Sequence, residues 1–152
     1  MATPFGALGI RCNERAVTGI DFLPAETRPL APVNSIAAQA CAELQSYLDD
    51  PAHRFHVPLE LHGTPYQRKV WQAIAGIPAA QPLSYGELAS RIGASPRAVG
   101  QACGANPIPI VIPCHRVIRS DGSLGNYGDD PALKALLLAH EREHGAGRKG
   151  GA

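Results

Sequence analysis

The chain has 152 residues, 45% of them hydrophobic, and a formal net charge of +1 at pH 7. That length suits one compact domain or two small packed halves. No run approaches the roughly 18 apolar residues of a membrane span, and the start, Met1-Ala2-Thr3-Pro4-Phe5-Gly6, lacks the basic and apolar parts of a secretion signal, so no membrane partner and a cytoplasmic setting are expected.

The charge is uneven along the chain. Residues 1–62 carry four arginines against seven acids, a net −3, and residues 120–152 carry four bases against five acids, a net −1. Between them, Arg68, Lys69, Arg91, Arg97, Arg116 and Arg119 face only Glu87, a net +5 over residues 63–119. Phosphate binding needs a local basic patch of this kind, although a solvated basic face has the same composition.

In chain order, Gly6–Cys12 and Ala16–Leu23 are apolar-rich runs separated by Asn13-Glu14-Arg15, which predicts a hairpin. Pro24–Pro32 contains three prolines and reads as a linker. Ile36, Ala40, Leu44, Tyr47 and Leu48 recur at helical spacing and predict a helix over about 34–49. Phe55–Leu61 has the composition of one more strand, and Gly63 marks a boundary.

Thr64-Pro65-Tyr66-Gln67 has the form of a capping box: hydroxyl at the N-cap, proline first, glutamine third. Tyr66, Val70, Trp71 and Ile74 would line one face of the helix it opens, and Gly76 would end it. After a Pro- and Ala-rich loop, Ser84-Tyr85-Gly86-Glu87 is a second capping box, opening a short helix that Gly93 stops in the left-handed conformation. Ser95 caps a third helix with Pro96 at its first position, and the spacing is that of a helix-turn-helix. Ala98, Gly100, Ala102 and Gly104 leave this last helix nearly bare, with only Arg97 and Gln101 long and polar. Such a face is poor at reading bases in the major groove. It fits close docking on a backbone or in a shallow groove, and it fits plain helix–helix packing equally well.

Four cysteines occur, at 12, 41, 103 and 114; none forms C-x-x-C and no zinc pattern is present. Cys12 and Cys41 read as small buried hydrophobes. Ile110-Val111-Ile112 reads as a buried extended segment, kept from helix by Pro107, Pro109 and Pro113, so that it forms a stiff arm carrying Cys114. His115 follows directly, but neighbours on an extended chain point apart, so a local turn or a bridging water is needed for the two to cooperate. Asp130-Pro131 opens a final helix to about His144, on which Glu141 follows Leu133 and Leu137 along the apolar face. Glu141 either points inward to a partner, because an unpaired buried charge is costly, or snorkels out toward Arg142 or Lys134. No resolving thiol accompanies Cys114 by spacing.

Pro113-Cys114-His115-Arg116-Val117 resembles the active-site signature of the O6-alkylguanine-DNA alkyltransferases, also called methylated-DNA–protein-cysteine methyltransferases. The likeness extends through Ser84-Tyr85-Gly86-Glu87-Leu88-Ala89, Arg97-Ala98-Val99-Gly100, Asn106-Pro107, Gly125-Asn126-Tyr127 and Leu137-Leu138-Ala139-His140-Glu141, in family order. It covers about residues 64–144; residues 1–62 are similar in layout only.

The resemblance implies an α/β N-terminal half over 1–62, a small sheet plus helix. A mainly helical C-terminal half over 63–152 would follow, holding the helix-turn-helix and the active-site cysteine. It implies irreversible transfer of one alkyl group from O6-alkylguanine, and from O4-alkylthymine, to Cys114. His115 would draw off the thiol proton through a water, Glu141 would orient His115, and Asn106 would fix the turn joining helix to cysteine arm. Arg97 would enter the base stack in place of a flipped nucleotide, with Tyr85, Ala98, Gln101 and Arg116 also meeting DNA. Tyr85, Pro109, Val117, Leu124, Gly125, Tyr127 and Gly128 would form the alkyl pocket. The implied partner is double-stranded DNA containing O6-alkylguanine, met by a monomer without cofactor or metal, in the cytoplasm and, in a bacterium, at the nucleoid. Two departures stand out: Gly128-Asp129-Asp130-Pro131 where the family has a Gly-Gly segment, and Cys103 where relatives often carry a larger apolar residue. A DNA-binding module without transfer activity and a cysteine hydrolase using Cys114, His115 and Glu141 are the competing readings.

Overall fold

The computed structural model describes residues 1–125, 127 and 131–150. The expectations placed on Asn126, Gly128, Asp129 and Asp130 lie outside the described residues.

Strands β1 (Ala2–Thr3), β2 (Gly6–Cys12) and β3 (Val17–Leu23) form an antiparallel sheet in that order. The β2–β3 turn is held by Asn13, whose Oδ1 accepts from the amides of Arg15 (2.8 Å) and Ala16 (2.9 Å), as asparagine does in tight turns. Helix α1 (Ser35–Asp49) is capped by Asn34, which accepts from the Ala37 amide, and lays Ala40, Leu44 and Tyr47 against the core. The expected strand at 55–61 is absent. Leu59 makes one isolated bridge to Val17, and Pro58, lacking an N–H, cannot continue a ladder.

Helices α2 (Pro65–Ala75), α3 (Tyr85–Ile92) and α4 (Pro96–Gly104) follow the predicted signals closely. Both capping boxes are complete, each hydroxyl accepting from the third amide and each Gln or Glu returning the bond. Gly93 caps α3 at φ 70°. Val70, Trp71 and Ile74 are buried as expected, but Tyr66 is exposed, because the first turn of α2 lies ahead of the packed region. A β-carbon at Gly63 would come within 2.7 Å of the Trp71 ring, so the boundary glycine is also a close-packing site.

Short strands β4 (Leu83–Ser84) and β5 (Val117–Ile118) pair in parallel and tie the start of α3 to the segment after the cysteine. Helix α5 (Pro131–Gly150) runs six residues past the expected end. Leu8, Val17, Leu44, Trp71, Val99, Ile108, Val117 and Leu137 belong to one continuous core, so the sheet layer and the helical layer share a single interior.

The arm before Cys114 differs most from expectation. Residues 108–112 form a closed turn, with the Ile112 amide bonded to the Ile108 carbonyl at 2.9 Å and Ile110 at φ 72°. A left-handed conformation costs a non-glycine residue about 1–2 kcal/mol. Burial of Ile108, Ile110 and Ile112, each 2% exposed or less, offsets it. Asn106 closes the turn from inside, its Oδ1 accepting from the Ile108 amide at 2.9 Å and its Nδ2 donating to the Ile112 carbonyl at 2.8 Å.

Candidate active site

The Asn106 clasp delivers Cys114 to the first position of a 3-10 turn, Cys114–Arg116. This turn replaces the extended geometry that would have pointed Cys114 and His115 apart. Asn106 Nδ2 also donates to Cys114 Sγ at 3.1 Å, so one amide holds both the loop and the sulfur. Burial pushes the Cys114 thiol well above its ordinary range and the adjacent Cys103 adds to this, while Asn106 and Lys134 favour the thiolate.

His115 and Glu141 are fully buried, and His115 Nε2 lies 2.7 Å from Glu141 Oε2. Glu141 therefore points inward to a partner, one of the two alternatives that its place after Leu133 and Leu137 left open. Burial raises its carboxyl, but the hydrogen bonds and charges of His115 and Arg116 outweigh this and hold it at about 2. Burial lowers His115 despite the carboxylate beside it. At neutral pH the pair is a carboxylate and a neutral imidazole. With Nε2–H donated to Glu141, Nδ1 carries the lone pair, and Nδ1 is buried without a hydrogen-bond partner.

Two residues complete the cage around Glu141. Tyr47 donates its hydroxyl to Oε2 at 2.7 Å. Arg116 donates Nε to Oε1 and Nη2 to Oε2, both at 2.9 Å, and Nη1 to the Ile77 carbonyl at 2.7 Å. Arg116 was expected at the DNA surface; it is 8% exposed, with its guanidinium spent on Glu141 and two carbonyls.

Cys114 lines a cavity of about 1060 Å³ between the sheet layer and the helices. Ile20 and Phe22 of β3 form one wall. The expected Tyr85, Pro109, Gly125 and Tyr127 line it, together with Asn106, Leu133 and Arg119. Val117 and Leu124 do not. Val117 is fully buried and offers its carbonyl to Lys134 instead, while Leu124 lies half-buried outside the lining. Gly128 lies outside the described residues.

Arg97, Gly100, Gln101 and Gly104 bring one face of α4 to the same cavity, and Arg97 is exposed. Val99 and Ala102 face the core, and the Ala102 carbonyl accepts the Trp71 indole N–H at 2.8 Å. The bare helix therefore packs through one side, while its glycine side faces the cavity. Ala98 is half-buried beside Arg97.

Lys134 is a site residue that the sequence reading used only as a surface partner. It is 1% exposed and donates Nζ to the Val117 carbonyl at 2.6 Å and to the Tyr85 hydroxyl at 3.4 Å. Burial lowers its ammonium, while burial and the two nearby thiols raise the Tyr85 phenol to about 12, so Tyr85 stays protonated at neutral pH. Its signal was available: Lys134, Leu138 and Glu141 share a helical stripe with Leu137. Among the described residues no cluster of three or more metal-ligating side chains occurs, and no helix is long and apolar enough to cross a membrane.

Residues 65–143 match the family model described as 6-O-methylguanine DNA methyltransferase, DNA binding domain. The chain is 47% identical over 109 residues to a methylated-DNA–protein-cysteine methyltransferase of Mycolicibacterium paratuberculosis, covering 70% of this chain and 66% of that one. It is 36% identical over 148 residues to the protein of the same name from Mycobacterium leprae, covering 93% of this chain and 90% of that one. The crystal structure of Mycobacterium tuberculosis OGT in complex with DNA superposes with a TM-score of 0.83 at 36% identity, covering 95% of this chain and 91% of that one.

Proposed function

The chain belongs to the methylated-DNA–protein-cysteine methyltransferase family, and from that premise we propose that it repairs DNA by taking the alkyl group of O6-alkylguanine, and of O4-alkylthymine, onto Cys114 and keeping it. The observation that carries this reading is Cys114 on the cavity wall, its sulfur held by Asn106 and the next residue locked to Glu141.

In the proposed reaction, His115 Nδ1 takes the thiol proton through a water. The thiolate attacks the alkyl carbon, an S–C bond forms, the C–O6 bond breaks with its electron pair on oxygen, and the guanine takes up a proton. Glu141 keeps Nδ1 as the acceptor and balances the imidazolium formed in passing. Tyr85 and Pro109 offer the cavity an aromatic and a flat apolar surface. Because the lesion is out of reach inside a duplex, the nucleotide must flip, and Arg97 at the exposed start of α4 fills the gap. Residues 63–152 carry the chemistry and residues 1–62 supply the opposite wall. The protein acts as a monomer on double-stranded DNA in the cytoplasm.

The test is an intact mass after incubation with an O6-methylguanine oligonucleotide. One added methylene on the Cys114 peptide, and no product beyond one equivalent with lesion in excess, is the expected result. Tight binding without a mass change would leave a recognition module, and continuing turnover of an ester or amide would leave a hydrolase.

A further inference from the structure

Cys103 was read from the sequence as an unusual residue on a docking helix, and Cys114 as a thiol without a resolving partner. The fold brings them together. Both line the same cavity, Cys103 half-buried on α4 and Cys114 buried on the 3-10 turn. Each thiol is near enough to shift the ionisation of the other, and the Lys134 ammonium favours the thiolate of either one. All four cysteines are free thiols. Two thiols on the lining of one cavity, with an ammonium that favours the thiolate of either, are the arrangement that oxidation converts to a disulfide instead of to irreversible acids.

We propose that Cys103 and Cys114 form a modification site for hydroperoxide oxidants, closing to an intramolecular disulfide that masks Cys114 and that thiols reopen. One of the two sulfurs, on giving up its proton, attacks a peroxide oxygen: an S–O bond forms, the O–O bond breaks, and hydroxide leaves and takes up that proton as water. The other sulfur then attacks the first: an S–S bond forms, the S–O bond breaks, and a second water leaves with the proton of the attacking thiol. Two thiols lose two electrons and two protons, and one peroxide becomes two waters. Reduction by a dithiol reverses the balance. Cys103 thereby protects the unique sulfur from overoxidation, at the cost of pausing it while the link stands.

The link itself concerns oxidation of the two thiols and is read on protein that has met no DNA; only its consequence for repair rests on the acceptor reading. Treat the reduced full-length chain with hydrogen peroxide under native conditions, then take an intact mass and a non-reducing peptide map. Wild type should lose two hydrogens, show a Cys103–Cys114 cross-linked peptide, and return to its starting mass in dithiothreitol. The Cys12→Ser/Cys41→Ser double variant should behave identically. Cys103→Ala should yield a Cys114 sulfenic acid that dimedone traps, and then oxygen adducts that dithiothreitol does not remove. Oxygen adducts on Cys114 in wild type with no cross-link would overturn the proposal, whatever the folding of the variant. Linked protein should transfer no methyl until reduced. A reduced protein that forms the link but never transfers methyl would sink the proposed function and leave this site standing.

Discussion

Arg97 and Arg116 bear the same side chain, one on the cavity lining and one in the interior, and the fold uses them in opposite ways. Arg97 stands in solvent at the start of α4, on a surface of glycines and alanines. Arg116 is folded into a cage in which Tyr47, His115 and two backbone carbonyls complete its pairing with Glu141. An exposed charge keeps its field for a polyanion, whereas a buried one is cancelled locally and holds geometry. The +5 count over residues 63–119 therefore overstates the basic face by one: Arg116 belongs to the interior. The bare helix is suited to approach, and the cage is suited to hold the acceptor's neighbour in one tautomer.

Cys114→Ser is the sharpest cut between the two regions. Methyl transfer should vanish while affinity for duplex DNA stays close to wild type, since the docking face is untouched. Transfer and binding measured on one preparation check this, and methyl found on Cys12, Cys41 or Cys103 would relocate the acceptor.

The two arginines can be set against each other directly. Arg116→Ala leaves the Glu141 carboxylate buried without its cation and should cost about 3–5 kcal/mol of stability. Arg97→Ala removes an exposed side chain and should stay within about 0.5 kcal/mol of wild type. Urea midpoints decide it, and equal values would dissolve the distinction.

Acid should attack the cage first. The Glu141 carboxyl lies at about 2 in the fold against about 4.3 in an unfolded chain. Its contribution is complete above the unfolded value and is lost as pH falls through the window between the two. His115, held neutral by burial, acts in the same sense, because the unfolded chain binds its proton first as pH drops below about 6.5. Glu141→Gln should lower stability at neutral pH, less than Arg116→Ala because Gln keeps a hydrogen bond. It should also flatten the dependence of unfolding free energy on pH between about 4.3 and 2. An unchanged slope would place the acid sensitivity elsewhere.

Arg97→Ala should slow repair of duplex DNA by about tenfold or more while leaving reaction with the free modified base nearly intact, since holding a flipped state matters only where there is a stack. Equal losses on both substrates would remove Arg97 from flipping. The smallest effect expected concerns substrate size. Pro109 and Gly125 line the cavity without long side chains, so O6-benzylguanine should leave a benzyl adduct on the Cys114 peptide. No adduct from protein fully active on O6-methylguanine DNA would mean the cavity closes more tightly than its lining indicates.

The signals that could be read from the sequence were local ones. Both capping boxes, the Gly93 stop and the Ser95 cap lie within four residues of what they control, and the Pro-Cys-His-Arg-Val run names its own neighbours. Helical period put Glu141 behind two leucines and so offered the inward placement, without deciding it against an outward one. What escaped depends on distance along the chain: Tyr47 meets Glu141 across 94 residues and Lys134 meets Tyr85 across 49. The turn at 108–112 escaped for a different reason. Its three isoleucines have strand propensity, and a single asparagine side chain overrides it by bonding both ends of the loop.

Trp71 is the chain's single tryptophan, and its indole N–H is fastened to the Ala102 carbonyl on the buried side of α4. Its emission therefore reports one location, the seat of α4, from the buried side of that helix. Fluorescence intensity and wavelength can follow how α4 sits on its support during encounter, without a dye or an added label. A spectral change on mixing with undamaged duplex would show that mere contact reaches through the helix. A change confined to alkylated duplex would show that the helix stays put until a base has left the stack.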